Sequence, residues 1–243
     1  MLAIGVEIVS QTASFRNPEF QNFHKTLDFP PPTTITGLTG AALGLSPKMA
    51  QEFVEEAHLK LGIASYNRGK TTDTWKYNRR TTQMHLYDPL LDGSVIQREI
   101  LFFNNYLLCF CSENETFIDQ LIDGFTNPTF ALTMGNSDAL AKVKRIIKNP
   151  EFDHRNKIEN CLVAGDVLGD VIHNSNNGLT FSIYQTSEPL TYDLPVRFDY
   201  KSDYGKRTVT DTKTFSFIGQ AMQLNYDLEG VLVDNVFIPI FDW

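Results

Sequence analysis

The apolar and polar positions of the chain first predict a strand followed by two helices. Residues 2–9 are mostly apolar and β-branched, which is typical of a buried strand. A run of three prolines then holds the backbone extended, and Thr33 or Thr34 is suited to cap a helix over 35–44. Within 47–61 apolar side chains recur four residues apart, which indicates an amphipathic helix.

Glycine recurs in the first predicted helix, at Gly37, Gly40 and Gly44. A glycine inside a helix costs roughly 1 kcal/mol relative to alanine, so this density needs a reason. The usual reason is close approach of another group, here either a packed neighbouring element or a polyanion. The sequence leaves both alternatives open.

The middle of the chain alternates between strand-like runs and one further helix. Turn residues at 92–94 and at 104–105 separate the runs. Gly135 is expected to follow a strand and to lead into another helix. In chain order, we predict strands near 63–66 and 81–87, two strands within 95–111, a helix over 115–125 and a strand at 129–134.

The fold class follows from the order of these elements. The first half reads strand, helix, strand, strand, helix, strand, which is the ferredoxin-like arrangement. RNA-recognition modules use this arrangement, and so do many unrelated proteins. From about residue 160 the pattern becomes all β. We therefore predict an α+β fold, with a ferredoxin-like domain of the RNA-recognition (RRM) type over residues 1–150 and a smaller β-rich region over 151–243.

The composition is that of an ordinary globular protein, with 42% hydrophobic and 21% charged residues. The formal net charge of −8 argues against a simple non-specific nucleic-acid binder but leaves room for a local basic face. Three cysteines, an odd number without metal-site spacing, suit a reducing compartment. The first residues lack a basic segment and a long apolar run, so we expect a cytoplasmic protein with no membrane partner. No nucleotide-binding glycine motif occurs, and we expect no cofactor.

Two segments reverse the overall charge. Residues 66–80 hold five Lys or Arg against one Asp, a net charge of +4, with Tyr and Trp interleaved. Residues 142–157 hold six Lys or Arg against two acids, again +4. Each segment is either a solvated surface or an RNA-contacting surface, because polyanion binding needs cations and single-strand binding needs stacking rings. The same two alternatives apply to residues 15–25, where Phe side chains alternate with cationic ones.

Two runs resemble signatures of a known family. The first is TASFRNPEFQNFHKTLDFPPPTTITGLTGAALGL at 12–45, and the second is TFALTMGNSDALAKV at 129–143. They resemble the Cas-five family of CRISPR-associated (RAMP-type) proteins. The resemblance implies a ferredoxin-like domain with a β-hairpin thumb, which would fall at about 66–100. It also implies a non-catalytic subunit that caps the 5′ end of the CRISPR RNA in a type I Cascade surveillance complex. The implied partners are the backbone subunit, the large subunit and, indirectly, target DNA.

The residues that we expect to contact RNA come from the cationic segments and from the glycine turn. A glycine turn that leads into a helix offers free N–H groups to an anion. The expected contacts are Arg16, His24, Lys25, Arg68, Lys70, Lys76, Tyr77, Arg79, Arg80, Gln83, Gly135, Asn136 and Ser137.

Two other functions stay open. In one branch of the family the protein resembles a metal-independent endoribonuclease, which needs a general base and a cation at the phosphate. The candidates for those roles are His24, Lys25 and His85; we expect no catalytic residue and no metal site. The acidic C-terminal half also suits a scaffold that binds protein without touching RNA.

Overall fold

The computed structural model describes residues 1–20, 23–78, 93–171 and 190–243. The predicted strand at 81–87 lies outside these residues. Within them the elements are, in chain order, β1 (Leu2–Ala13), β2 (Phe15–Arg16), β3 (Thr26–Leu27), α1 (Pro32–Leu43), α2 (Pro47–Glu56), β4 (Lys60–Tyr66), β5 (Gly69–Asn78), β6 (Gly93–Ser112), α3 (Glu115–Thr126), β7 (Ala141–Lys148), β8 (Glu151–Ile158), β9 (Cys161–Ala164), β10 (Leu190–Tyr200), β11 (Arg207–Ile218), β12 (Met222–Val233) and β13 (Val236–Asp242).

The first half is built on a four-stranded antiparallel unit in the order β4–β6–β1–β7. Helices α1 and α2 connect β1 to β4, and α3 connects β6 to β7. The predicted strand at 2–9 and the predicted helix at 115–125 are therefore confirmed. Apolar side chains of the sheet, such as Ile4 and Phe110, pack with Ile35 and Leu121 of the helices to form the main core.

The other face of this sheet is covered by the C-terminal region. Val231 and Val233 of β12 and Ile238 of β13 pack against Leu107 and Cys109 of β6 in a second apolar cluster. Strand β13 also pairs with β4, so the described strands, apart from β2 and β3, join into one 11-stranded sheet. The first half and the β-rich region are thus in direct contact, and a domain boundary at 150 stays a prediction.

The glycines of α1 mostly serve packing. A Cβ on Gly40 would lie 2.8 Å from the Cβ of Ala50, so this glycine lets α1 and α2 approach each other. Gly44 ends α1 in the left-handed conformation, with φ 76°, which is the usual role of glycine at a helix C-terminus. A Cβ on Gly37 would meet nothing within 4 Å. The predicted cap at Thr33 or Thr34 is wrong, because α1 begins at Pro32 without a side-chain cap.

Several further predictions about local structure are wrong. No turn separates two strands at 104–105, because β6 is one 20-residue strand. Gly93 and Ser94 belong to β6 rather than to a turn at 92–94, since they pair with residues of β5. Residues 129–134 are not a strand apart from one isolated bridge at Thr133, and Gly135 leads through a turn into β7 rather than into a helix. The second helix also ends at Glu56, earlier than predicted, because β4 begins at Lys60.

Strand β5 and the first half of β6 form a long two-stranded ribbon. Their register runs from Gly69 opposite Phe102 to Asn78 opposite Gly93. Beyond Phe102 the strand β6 leaves β5 and pairs with β4, beginning at Tyr66 opposite Asn105. The ribbon therefore extends from the four-stranded unit and carries the first basic segment.

Candidate nucleic-acid interface

Arg98 is the centre of the candidate interface. It lies on β6, directly opposite Asp73 of β5, and only 6% of its surface is exposed. Its guanidinium donates to Asp73 Oδ2 (Nη2, 3.1 Å) and to Asp138 Oδ2 (Nη2, 2.6 Å), and it lies 5.0 Å from the ring centroid of Trp75. A buried charge requires such partners, because an unpaired one would be strongly destabilising. Arg98 therefore fixes the ribbon to the 135–138 turn.

The segment around His24 joins the same centre through its backbone. The His24 N–H donates to the carbonyl of Gln97 (3.1 Å), and the Glu99 N–H donates to the carbonyl of His24 (2.8 Å). The Glu99 carboxylate accepts from the Thr26 N–H (3.1 Å). Three segments predicted separately from the sequence, around residues 16–25, 68–76 and 135–138, therefore meet along one stretch of β6.

Gly135 is explained by the packing of the chain on itself. Its φ is 94°, and a Cβ at this position would lie 1.9 Å from the Ser14 carbonyl oxygen. The Ser14 N–H donates to the Met134 carbonyl (3.3 Å), which holds the two segments together. The predicted helix N-terminus with free N–H groups is wrong, because 135–138 is a turn. Contacts of Gly135, Asn136 and Ser137 with RNA stay a prediction.

The cations of the first basic segment differ in their surroundings. Lys70 is used internally, since its ammonium lies 2.8 Å from Asp28 Oδ1 and 4.0 Å from Glu99 Oε2. Arg68 and Lys76 are exposed and form no ion pair with other described residues. Of the remaining predicted contacts, Tyr77 pairs through its backbone with Ser94, whereas Arg79, Arg80, Gln83 and the alternative catalytic residue His85 lie outside the described residues.

The segment before α1 adds cations and an aromatic ring. Lys25 is exposed and lies 4.4 Å from the ring centroid of Phe20. Arg16 is exposed as well. Partial burial and the positive charges of Arg16 and Arg98 hold the pKa of His24 below its usual 6.5. His24 is therefore a neutral imidazole at pH 7, able to donate and accept hydrogen bonds.

Half of the cations in the second basic segment neutralise the protein's own acids. Lys144 and Arg145 of β7 both pair with Glu7, a buried carboxylate of β1. Arg155 of β8 pairs with Asp153. The other three cations of this segment are exposed and make no ion pair within the described ranges: Lys142, Lys148 and Lys157. The segment is thus partly structural and partly open to an external anion.

Neither a metal centre nor a membrane span is found in the part of the chain that the structure describes. There, no three His, Cys, Asp or Glu side chains converge in a way that could hold a metal ion. No described helix combines the length and apolar character needed to cross a bilayer.

Comparison with known proteins identifies the family. The model of the CRISPR-associated protein (Cas_Cas5) family matches residues 3–210. The chain belongs to this family. The resemblance of the two sequence signatures to the Cas-five family is thereby confirmed.

One solved structure gives this Cas-five chain a fold relationship, and a second aligns with it over the whole chain. A chain of a "CRISPR RNA-guided surveillance complex" aligns with a TM-score of 0.55 at 12% identity, covering 91% of each chain. A CRISPR protein from Archaeoglobus fulgidus aligns with a TM-score of 0.49 at 13% identity over 100% of both chains. At 12% identity the likeness to the surveillance-complex chain concerns the fold alone. Among curated proteins, a sequence comparison finds no significant match.

Sequence reasoning missed the residue that assembles the candidate interface of this Cas-five chain. Arg98 was not among the expected contacts, and neither were its partners Asp73 and Asp138. One local signal was present, since Arg98 and Glu99 place two charges inside an otherwise uncharged strand. Their partners are far along the chain, with 25 and 40 residues separating Arg98 from the two aspartates.

Proposed function

We propose that this chain is the CRISPR RNA-binding structural subunit of a type I Cascade surveillance complex and holds the 5′ handle of the CRISPR RNA. The observation that carries the proposal is that the three segments holding the exposed cations Arg16, Lys25 and Lys76 and the 135–138 turn all meet β6 around Arg98. Trp75 and Phe20 lie in the same segments and offer rings for base stacking. Membership in the family supports the same role.

The architecture supports the proposal at a coarser level. We interpret the β4–β6–β1–β7 unit and its helices as a ferredoxin-like RNA-recognition module, since both its connections and its strand order suit that arrangement. We interpret the β5–β6 ribbon as the base of the family's thumb. We also propose that the chain contacts the backbone subunit and the large subunit, and that it contacts target DNA indirectly. The complex would act in antiviral defence in the cytoplasm, where the three free cysteines suit a reducing compartment.

Reconstitution tests the proposal directly. The chain is purified with its expected partner subunits and CRISPR RNA, and the RNA is then photocrosslinked. We expect a crosslink between this chain and the 5′ handle, and a complex that fails to assemble without the chain. Assembly in its absence, or crosslinks confined to other subunits, would show that the proposal is wrong.

A charge-reversal pair tests the surface. Replacing Lys25 and Lys76 by Glu should weaken RNA binding and lower the slope of log affinity against log salt by roughly 0.7 for each phosphate contact removed. The matched control reverses Lys201 and Lys206, two exposed lysines at the β10–β11 turn. If reversing either pair of lysines weakens RNA binding equally, the candidate interface does not contact RNA.

We propose a non-catalytic role, with an endoribonuclease as the second candidate. His24 favours that candidate, because a neutral imidazole beside Arg16 has the chemistry of a general base next to a phosphate-binding cation. Incubating the isolated chain with repeat RNA in EDTA separates the two. We expect no specific cleavage; specific cleavage that disappears in His24→Ala would establish the enzyme instead. A scaffold without RNA contact, the third alternative, would purify free of nucleic acid, as measured by the 260/280 nm absorbance ratio.

A further inference from the structure

A cleft lies beside the interface, where β6 changes its pairing partner. It has a volume of about 680 Å³ and is formed by the end of β1, the β4–β5 connection, the middle of β6 and the start of β7. Small-ligand sites generally have volumes of about 300–1,000 Å³, so the cleft has room for one nucleotide. Its Phe103 lies on the same strand as Arg98, five residues further along, and its Arg68 belongs to the first basic segment.

Phe103 gives the cleft an aromatic ring in a strained position. Its φ is 51°, and 64% of its surface is exposed. A bulky residue in the left-handed region costs on the order of 1–3 kcal/mol and persists only where its surroundings hold it. Here the neighbours are fixed: the Arg68 N–H donates to the Phe102 carbonyl (3.0 Å), and buried Asn104 donates from Nδ2 to Ser10 Oγ (3.3 Å). The fold thus tolerates strain at a residue whose ring contributes little to the core.

The rest of the lining selects an anion with an apolar face. Arg68 and Lys142 line the cleft, no acidic side chain of the described residues does, and neither cation forms an ion pair within them. Leu140, another lining residue, is 64% exposed. Two available cations and two exposed apolar side chains match a phosphate and a base. A protein ligand with these features would need an acidic group beside an aromatic one, and the presence of Arg68, a residue of the first basic segment, favours the nucleotide.

We infer that this cleft binds one nucleotide of single-stranded RNA, with the base stacked on Phe103 and its phosphate held by Arg68 and Lys142. The inference rests on the proposed RNA-binding function and adds to it a base-stacking subsite centred on Phe103, which was not among the contacts expected from the sequence. Stacking reads the face of a base rather than its edge, so the subsite accepts any base.

The test uses the reconstituted complex and a fluorescein-labelled single-stranded RNA with the sequence of the 5′ handle. Phe103→Gly removes the ring and suits the left-handed backbone, so the variant should unfold at the same or a higher denaturant concentration than the wild type. Loss of one stacked base should weaken RNA binding about 10- to 100-fold. Phe103→Tyr should restore affinity, because it retains the ring. The matched control is Phe130→Gly, at an exposed phenylalanine outside the cleft, which should bind RNA as the wild type does.

Replacing one handle nucleotide at a time by an abasic residue provides a second readout. We expect one abasic position that weakens binding to the wild type but not to Phe103→Gly. Unchanged RNA affinity in Phe103→Gly would overturn the inference that the cleft binds a nucleotide, while leaving the proposed function intact. Loss of a protein subunit from the variant complex with unchanged RNA affinity would assign the cleft to a protein partner and also overturn it. If the wild-type complex binds no handle RNA through this chain, the proposed function fails and the inference fails with it.

Discussion

Replacing Glu7 by an uncharged residue should measure how much this carboxylate stabilises the contact between the two halves of the protein. Glu7 is 2% exposed at the centre of the sheet, and its Oε1 accepts from Lys144 Nζ (2.8 Å) and from Asn105 Nδ2 (3.0 Å). Arg145 donates to Glu7 and also to Asp234, in the turn between β12 and β13. One carboxylate thus connects β1, β6 and β7, and through Arg145 it reaches the C-terminal hairpin.

The magnitude follows from the pKa of this carboxyl. Burial alone would raise it, but the hydrogen bonds from Lys144, Arg145 and Asn105 lower the pKa of Glu7 from 4.5 to about 2. At about 1.4 kcal/mol per pH unit, this lowering stabilises the folded state by about 3 kcal/mol at neutral pH. Because the folded-state pKa is the lower one, the contribution is complete above about pH 4.5 and is lost as the pH falls towards 2.

Chemical unfolding of the wild type and of Glu7→Gln at pH 7 and pH 3 measures this contribution. The variant should be about 3 kcal/mol less stable at pH 7, and the difference should shrink by about 2 kcal/mol at pH 3, where part of the wild-type advantage is lost. The matched control is Glu56→Gln, at an exposed glutamate at the end of α2, which should change stability by less than about 0.5 kcal/mol. Wild-type and Glu7→Gln stabilities that decline in parallel from pH 7 to pH 3 would refute the reasoning.

Three other predictions concern packing. Gly135→Ala should destabilise the protein by about 3 kcal/mol or more, since its Cβ would meet a backbone carbonyl oxygen at 1.9 Å. Gly37→Ala, in open space on α1, should instead stabilise it by roughly 0.5–1 kcal/mol. Thermal unfolding measures both changes, and equal shifts would contradict the packing assignment. Arg98→Met should cost about 2 kcal/mol and increase amide hydrogen exchange in the turn at 135–138, because two aspartates lose their common partner; unchanged exchange would show that the arginine does not hold the turn. Burial raises the pKa of all three cysteine thiols, so a thiol reagent at pH 8 should label them only in denaturant, and rapid labelling of the native protein would contradict their burial.

Local patterns were sufficient for the elements whose neighbours in sequence decide their structure. The strand at 2–9 and the helix at 115–125 follow from the period of their apolar residues. The pair Asn104–Asn105 misled the prediction, because asparagine usually marks a turn. Here the Asn105 side chain donates to Glu7 on β1, and Asn104 is buried with its amide hydrogen-bonded, so both residues continue a strand. Such partners are remote in sequence and leave no local pattern.

The same limit explains what was predicted of the candidate site. Clusters of Lys and Arg are visible in composition, so the cationic segments could be found from the sequence. Their assembly depends on Arg98, whose partners come from β5 and from the 135–138 turn. Gly135 was interpreted as an anion site because a glycine turn before Asn, Ser and Asp is typical of a helix start. Its real constraint is the carbonyl of Ser14, more than a hundred residues earlier in the chain.

The net charge of −8 is a poor guide to this surface, because three acids of the interface are already paired. Asp28 is neutralised by Lys70, and Asp73 and Asp138 share Arg98. An approaching phosphate would therefore experience mainly the exposed cations that make no ion pair within the described ranges, which include Lys25, Arg68, Lys76 and Lys142. For this reason added salt should weaken RNA binding by this chain, as it does for basic proteins, although the protein as a whole is acidic.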